Sequence, residues 1–284
     1  MFAWYVAGIA KQITYVTLAD GRREERRIPL LFRIMLPFAP NLGGLAKSPG
    51  MAKVRTKADA NIVTAGYEGL ISGWEFITLK FLCPLIVTPI WCIVWRLAMI
   101  YLPLTQRNYI LICLAGFLLA YSYPGAWLKG AVKTRQKQIV RAMPFVLDLL
   151  TLSVEAGLDF MTAIQRTTER QAVDPLTEEL LRVVREIQVG TPRRQALRAM
   201  SDRVNIPDMR SLVNALVQAD ELGVSIGSIL RIQADQLRVR RFEHAEKLAN
   251  EAPVKLLAPL VICIFPCVFL ILLGPVLFSL AKMI

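Results

Sequence analysis

Leu152-Ser-Val-Glu-Ala-Gly-Leu-Asp159, Val189-Gly-Thr-Pro192 and Leu222-Gly-Val-Ser225 set glycines at 157, 190 and 223, each 33 residues after the last. At one fixed offset beyond each glycine comes an apolar pair: Ala163-Ile164, Ala196-Leu197 and Ile229-Leu230. A helix C-terminus favours glycine because that residue enters the left-handed region without a Cβ clash. A helix starter follows each one: Asp159, Thr191 with Pro192 behind it, and Ser225. The spacing predicts three helix-glycine-helix turns, about six helices, over residues 143–280. Periods of this length belong to stacked helical pairs, but the signatures of the common 33- and 34-residue repeats are missing. A compact bundle with internal similarity is expected.

Working outward, residues 129–253 show no strand-like alternation. Apolar residues recur at three and four: Phe145, Leu149, Leu152 and Ala156; Leu176, Leu180, Val183, Val184 and Ile187; Leu212, Leu216 and Ala219. Each set is expected to face the core. Asp174-Pro175 and Asn205-Ile-Pro207 read as further helix starts. The last helix starts at Ser225, passes through a charged stretch at 231–251, and continues into the apolar residues 254–280. Pro259, Pro266 and Pro275 lie inside that apolar run, which should therefore be kinked or locally loosened.

The chain has 284 residues, 55% of them apolar, which is more than a soluble protein usually carries. The excess is concentrated in spans of about 81–102, 109–128 and 254–280, each long enough to cross a hydrocarbon core. Ser72-Gly-Trp-Glu75 has capping-box spacing just ahead of the first. Arg96 lies close enough to the far end of that span to snorkel to the interface. Tyr121, Tyr123 and Trp127 rim the second, as an interfacial belt would. Lys129, Lys133, Arg135, Lys137 and Arg141 follow with no acid among them and mark a cytoplasmic side. The first two spans then form a hairpin with both ends inside, and the third span leaves the C-terminus outside. Residues 28–45 read as an interfacial segment, with a further span somewhere in 1–45 as an alternative. Residues 46–78 read as a polar connector with a short helical stretch near 57–65. The expected organisation is an N-terminal segment (1–78), a membrane hairpin (79–128), a cytoplasmic helical domain (129–253) and a C-terminal span (254–284).

The net charge of +12 does not point to nucleic acid. Residues 129–253 hold 19 basic and 16 acidic groups, a mixed surface without the one-signed patch that a phosphate backbone needs. The five cysteines (Cys83, Cys92, Cys113, Cys263, Cys267) all sit in apolar segments with no zinc-ligand context. Gly223-Val-Ser-Ile-Gly227 has the letters of a nucleophile elbow, but a helix precedes it where a strand is required. Gly43-Gly-Leu-Ala-Lys47-Ser48 lacks the glycine spacing of a phosphate loop. Glu178-Glu179 and Asp220-Glu221 are expected on solvated helix faces, and His244 on a charged surface. No catalytic, metal-binding or cofactor-binding residue is nominated. The candidate partner-contact or turn positions are Glu155, Gly157, Asp159, Gly190, Glu221, Gly223 and Ser225, at the helix ends. Glu155-Ala156-Gly157 also resembles the start of the loop by which importer permeases dock on their ATPase, which leaves the membrane subunit of an ATPase-coupled transporter as the alternative function. Against it, three spans are few and none offers paired polar groups.

Taken together, Leu152-Ser-Val-Glu-Ala-Gly-Leu-Asp with Ala163-Ile164, Val189-Gly-Thr with Ala196-Leu197, and Ala219-Asp-Glu-Leu-Gly-Val-Ser-Ile-Gly with Leu230 resemble the type II secretion F-domain family. The tail from Glu251-Ala-Pro-Val-Lys to Phe-Pro266 and Leu-Leu-Gly-Pro275 resembles its tight-adherence (Tad, or Flp) pilus branch. The resemblance covers about residues 140–280. Two departures from the type II members stand out. This chain has room for one such domain rather than two, and Leu222 stands where an acid normally precedes the third glycine, with Glu221 one place earlier. Both fit the Tad branch. The resemblance implies an all-α inner-membrane protein with a cytoplasmic six-helix domain and three transmembrane helices, the last continuous with the final helix of the domain. It further implies a non-enzymatic platform without cofactors that works with a hexameric secretion ATPase, pilin subunits and a second F-domain protein.

Overall fold

A computed structural model describes residues 15–17, 23–25, 28–36, 51–98, 106–170 and 174–283. The first two stretches pair as a three-rung antiparallel ladder, β1 (Tyr15–Thr17) with β2 (Arg23–Glu25), Val16 facing Glu24. Everything else with regular structure is helical: α1 (Leu30–Met35), α2 (Ala52–Ala65), α3 (Gly73–Ala98), α4 (Gln106–Glu155), α5 (Phe160–Arg170), α6 (Pro175–Gln188), α7 (Arg193–Val204), α8 (Pro207–Leu222), α9 (Ile226–Pro259) and α10 (Phe265–Met283). By its contacts the chain divides into two compact units, Met1–Leu230 and Arg231–Ile284.

In the first unit, α3 begins where the sequence signals it. The Glu75 carboxylate reaches back to accept from the Ser72 backbone N–H at 2.8 Å, the reciprocal half of a capping box. Asp59 of α2 accepts from Gly73 N–H at 2.6 Å, and a Cβ on Gly73 would strike that carboxylate. The helical stretch expected near 57–65 thus begins earlier, at Ala52, and tethers the start of α3. Phe81 meets Tyr121 and Trp91 meets Ile112, so α3 and α4 run antiparallel. Among the described residues, α3 and the early part of α4 are long and apolar enough to cross a membrane. The later apolar helix, Val261–Pro275, is shorter. Arg96 is exposed two residues from the end of α3, where it can snorkel.

Two expectations are refined at this end. The apolar face of α1 is covered by protein: Phe32 is fully buried and makes edge contacts with Trp127 and Tyr123 at 5.0 and 5.9 Å. Ile28, Met35 and Leu36 join Ile62, Leu79 and Leu128 in the same cluster. The apolar residues described in 28–36 thus pack on protein, while 37–45 lie outside the described residues, as does most of the stretch suggested for a further span. Trp127, expected in a lipid belt, meets Phe32 and Tyr67 instead, whereas Tyr123 touches Phe32 at its edge and stays 46% exposed.

Helix α4 runs unbroken from the apolar stretch to Glu155, through the residue-128 boundary expected between membrane and domain. Its buried stripe is Ile139, Met143, Val146, Leu147 and Leu150. The expected stripe of Phe145, Leu149, Leu152 and Ala156 was one register off, and Phe145 and Leu152 remain 61% and 63% exposed. Both sets have helical spacing, so periodicity could not choose between them; the packing of α5 and α6 did. The stripes on α6 and α8 are buried as expected: Leu176, Leu180, Val183 and Val184, then Leu212, Leu216 and Ala219. Met143, Leu147, Leu180, Leu197, Met209 and Leu230 line a sealed apolar cavity of about 20 Å³, too small to weaken the core.

In the second unit, α9 and α10 are joined by a π-helical turn, Leu260–Ile264. The reason is local. Pro266 has no N–H to donate, and its ring would press on the carbonyl four residues back. A wider turn just before it relieves the clash. The predicted loosening falls between Pro259 and Pro266.

Candidate functional site

The three glycines do the same thing at three places. Gly157, Gly190 and Gly223 take φ of 90, 104 and 68°. In each case the next residue's N–H bonds to the carbonyl five back: Leu158 to Ser153 at 3.1 Å, Thr191 to Glu186 at 2.9 Å, Val224 to Ala219 at 3.0 Å. This closes the last carbonyls of α4, α6 and α8 and reverses the chain into α5, α7 and α9. Asp159 caps α5 by accepting from Met161 N–H at 3.0 Å. Asp174 caps α6 by accepting from Leu176 and Thr177 N–H, both at 2.9 Å. Thr191, expected to start α7, does not cap it; Pro192 holds the cap position and makes no side-chain bond.

Side-chain contacts bring the three turns together at one end. The Arg193 guanidinium at the start of α7 lies 4.4 Å over the Phe160 ring at the start of α5. Arg194 bonds Asp220 at 2.8 Å and Glu221 at 3.4 Å, joining the second turn to the third. A Cβ on Gly227, in the first turn of α9, would come within 3.5 Å of the Glu155 side chain and 3.6 Å of Val154, which sets the third turn beside the first. All seven nominated positions, Glu155, Gly157, Asp159, Gly190, Glu221, Gly223 and Ser225, therefore fall on one surface. Its apolar tips are Val189 and Leu222, 83% and 77% exposed. The Arg194 guanidinium beside Asp220 holds that carboxyl below its usual range. Glu221 is engaged by the same arginine, so this acidic pair is solvated but not isolated.

The other acidic pair departs from expectation. Glu179 is only 5% exposed and lies between two arginines, Arg135 of α4 and Arg203 of α7, each at 3.0 Å. Glu178 bonds Arg135 at 3.0 Å. Arg203 also reaches Glu186 at 2.9 Å, and Glu186 accepts from Arg182, which pairs with Glu68 beyond α2. Glu178-Glu179 is thus no solvated face, and Arg135 is no surface retention charge. Burial of one of these charges without its partners would cost several kcal/mol, so the network fixes how α4, α6 and α7 meet. A sign was legible: Glu179 falls within the apolar stripe of Leu176, Leu180 and Val183.

Among the described residues, no group of three or more His, Cys, Asp or Glu could hold a metal ion. The turn surface presents apolar tips beside an arginine–carboxylate cluster.

The three turns lie within one stretch that is similar to a known family. Residues 146–274 match the type II secretion system protein F family. The match begins inside α4, takes in all three glycine turns and the π turn, and ends inside α10. No significant match is found among curated proteins or solved structures. Proteins of the matched family are membrane platforms of secretion and pilus-assembly machines rather than enzymes, and they generally work with an ATPase and partner platform proteins. The apolar helices α3 and α4 are consistent with an inner-membrane setting.

Proposed function

We propose that this chain is a non-enzymatic inner-membrane platform of a Tad/Flp pilus, a type IV-like fibre, and corresponds to the kind called TadC. In this role it couples a hexameric cytoplasmic assembly ATPase to pilin extraction and fibre growth, beside a second, TadB-like platform protein. The observation that carries the reading is the convergence of three equivalent glycine turns on one surface inside the F-matched segment. Such a surface, apolar at Val189 and Leu222 and ionic around Arg194, suits a protein partner better than a small substrate. The N-terminus and the helical domain lie in the cytoplasm, where the exposed Lys129, Lys133 and Lys137 belong. Residues 254–280 form a third span, with the C-terminus outside. On this reading a rotation started at the turn surface is passed along the charged stretch 231–251 towards the membrane. Proline insertions within 231–251 should therefore abolish pilus assembly; normal fibres in such variants would count against this route.

The direct test is co-purification of the detergent-solubilised full chain from its own cells, read by mass spectrometry. Recovery of a second F-family protein and a secretion ATPase supports the platform. Recovery of an importer ATPase with a solute-binding protein overturns it in favour of a permease.

A further inference from the structure

The antiparallel hairpin of α3 and α4 brings two thiols together. The Cys92 thiol donates to Cys113 Sγ at 3.0 Å, closer than two sulfurs in ordinary contact. Neighbouring contacts hold that register. Trp91 Nε1 donates to the Ile112 carbonyl at 3.3 Å. The Trp91 indole also covers Gly116 so closely that a Cβ there would collide with it. Phe81 and Tyr121 meet further along the same pair, 6.4 Å between ring centres. These contacts keep the two cysteine backbones opposite each other, so the sulfurs stay within reach through side-chain rotation alone.

We propose that Cys92 and Cys113 are a reversible oxidation site whose disulfide ties α3 to α4. The inference goes beyond the platform reading and does not depend on it. The pair stands six residues before the end of α3 and seven after the start of α4, about 9–10 Å along the helices from their connection. Both cysteines are partly exposed, within reach of a small reagent. The other cysteines are placed differently. Cys83 is buried in the cluster beneath α1 and α2. Cys263 and Cys267 lie about one turn apart on one helical stretch, where Cβ atoms stand about 5–6 Å apart, wider than the 3.5–4.5 Å that a disulfide spans.

The oxidant is a disulfide-bearing molecule. One cysteine thiolate attacks its S–S bond, giving a mixed disulfide and releasing one thiol. The second cysteine thiolate then attacks the protein sulfur of that mixed disulfide, closes Cys92–Cys113 and releases the second thiol. The two cysteine protons finish on the sulfurs of the reduced oxidant, and two electrons pass to it. A dithiol reverses the exchange.

The test uses the full chain in native membranes. It is treated with the membrane-permeant disulfide 4,4′-dithiodipyridine, quenched with N-ethylmaleimide, denatured and mapped by peptide mass spectrometry. The expected product is a single cross-linked peptide pair joining Cys92 to Cys113, two hydrogens lighter than the separate thiol peptides and lost on treatment with dithiothreitol. In Cys92→Ser, Cys113 should instead be recovered as the reagent adduct. Recovery of Cys92 and Cys113 in the wild-type protein as separate adducts overturns the proposal, as does a cross-link that joins either one to a different cysteine. The wild-type map decides the matter even if the variant does not accumulate.

Discussion

Gly190 has open space where a Cβ would go, yet its φ of 104° is one that side chains avoid. The objection to a larger residue is therefore conformational and not steric. Gly190→Ala should lower stability by about 1–2 kcal/mol, seen as a drop in the thermal midpoint of the solubilised protein, with the apolar core intact. A midpoint unchanged from wild type would show that the turn can adopt another geometry. These glycines were legible because one residue type answers one backbone demand. Glu179 was harder to read. Its sequence neighbours mark it as buried, but its partners Arg135 and Arg203 stand 44 and 24 residues away, and no local pattern pairs them.

At the scale of the element, helix starts and stops follow local chemistry: Asp174-Pro175, Asn205 with φ 51°, Ser72 to Glu75. Which face of a helix turns inward is a question for its neighbours, and α4 shows the limit. The Phe145–Leu152 and Met143–Leu150 stripes are equally periodic, and only the second is buried. Ties between elements were hidden for the same reason. Glu68 and Arg182 join the connection after α2 to α6 across a long sequence separation, and the Arg182 hydrogen bond holds the Glu68 carboxyl below its usual value of 4.5. A carboxylate depressed in the folded state stabilises it above the unfolded pKa and loses that contribution as pH falls through the folded one. The stability gap between wild type and Glu68→Gln should thus be present at pH 6 and close as pH drops below about 4.5. Both side chains are more than a third exposed, so the gap should be small, at most about 1 kcal/mol, and should shrink in high salt. Thermal melts across that pH range would expose an error as a gap that persists at pH 3.

For the whole molecule, the turn surface places its apolar tips outside the core. Val189 and Leu222 contribute little to the core, so Val189→Asp with Leu222→Asp should lower stability by no more than about 1 kcal/mol, read from the thermal midpoint. On the platform reading the same pair should reduce ATPase co-purification at least tenfold. Undiminished recovery would move the contact surface elsewhere, the exposed Phe145 and Leu152 face of α4 being next. The helical class and the three turns could be read from sequence because each rests on residues close together in the chain. The gathering of those turns on one surface depends on Arg193 meeting Phe160 and Arg194 meeting Asp220 and Glu221 across helices, which the sequence does not display.

The π turn at Leu260–Ile264 has an arithmetical consequence. A π turn is an α-helix holding one residue more than its phase requires. Removing a residue there, with Pro266→Ala to clear the ring, turns the segment into ordinary α-helix and leaves residues 267–283 pointing as they did. Removing a residue from the straight part of α9, such as His244, rotates everything after it by about 100°. Maleimide labelling of Cys267 in membranes, read by peptide mapping, should therefore stay near wild type after loss of Val261 in the Pro266→Ala background and change several-fold after loss of His244. The turn is slack in the helix, and shortening the chain there takes up that slack without re-aiming α10.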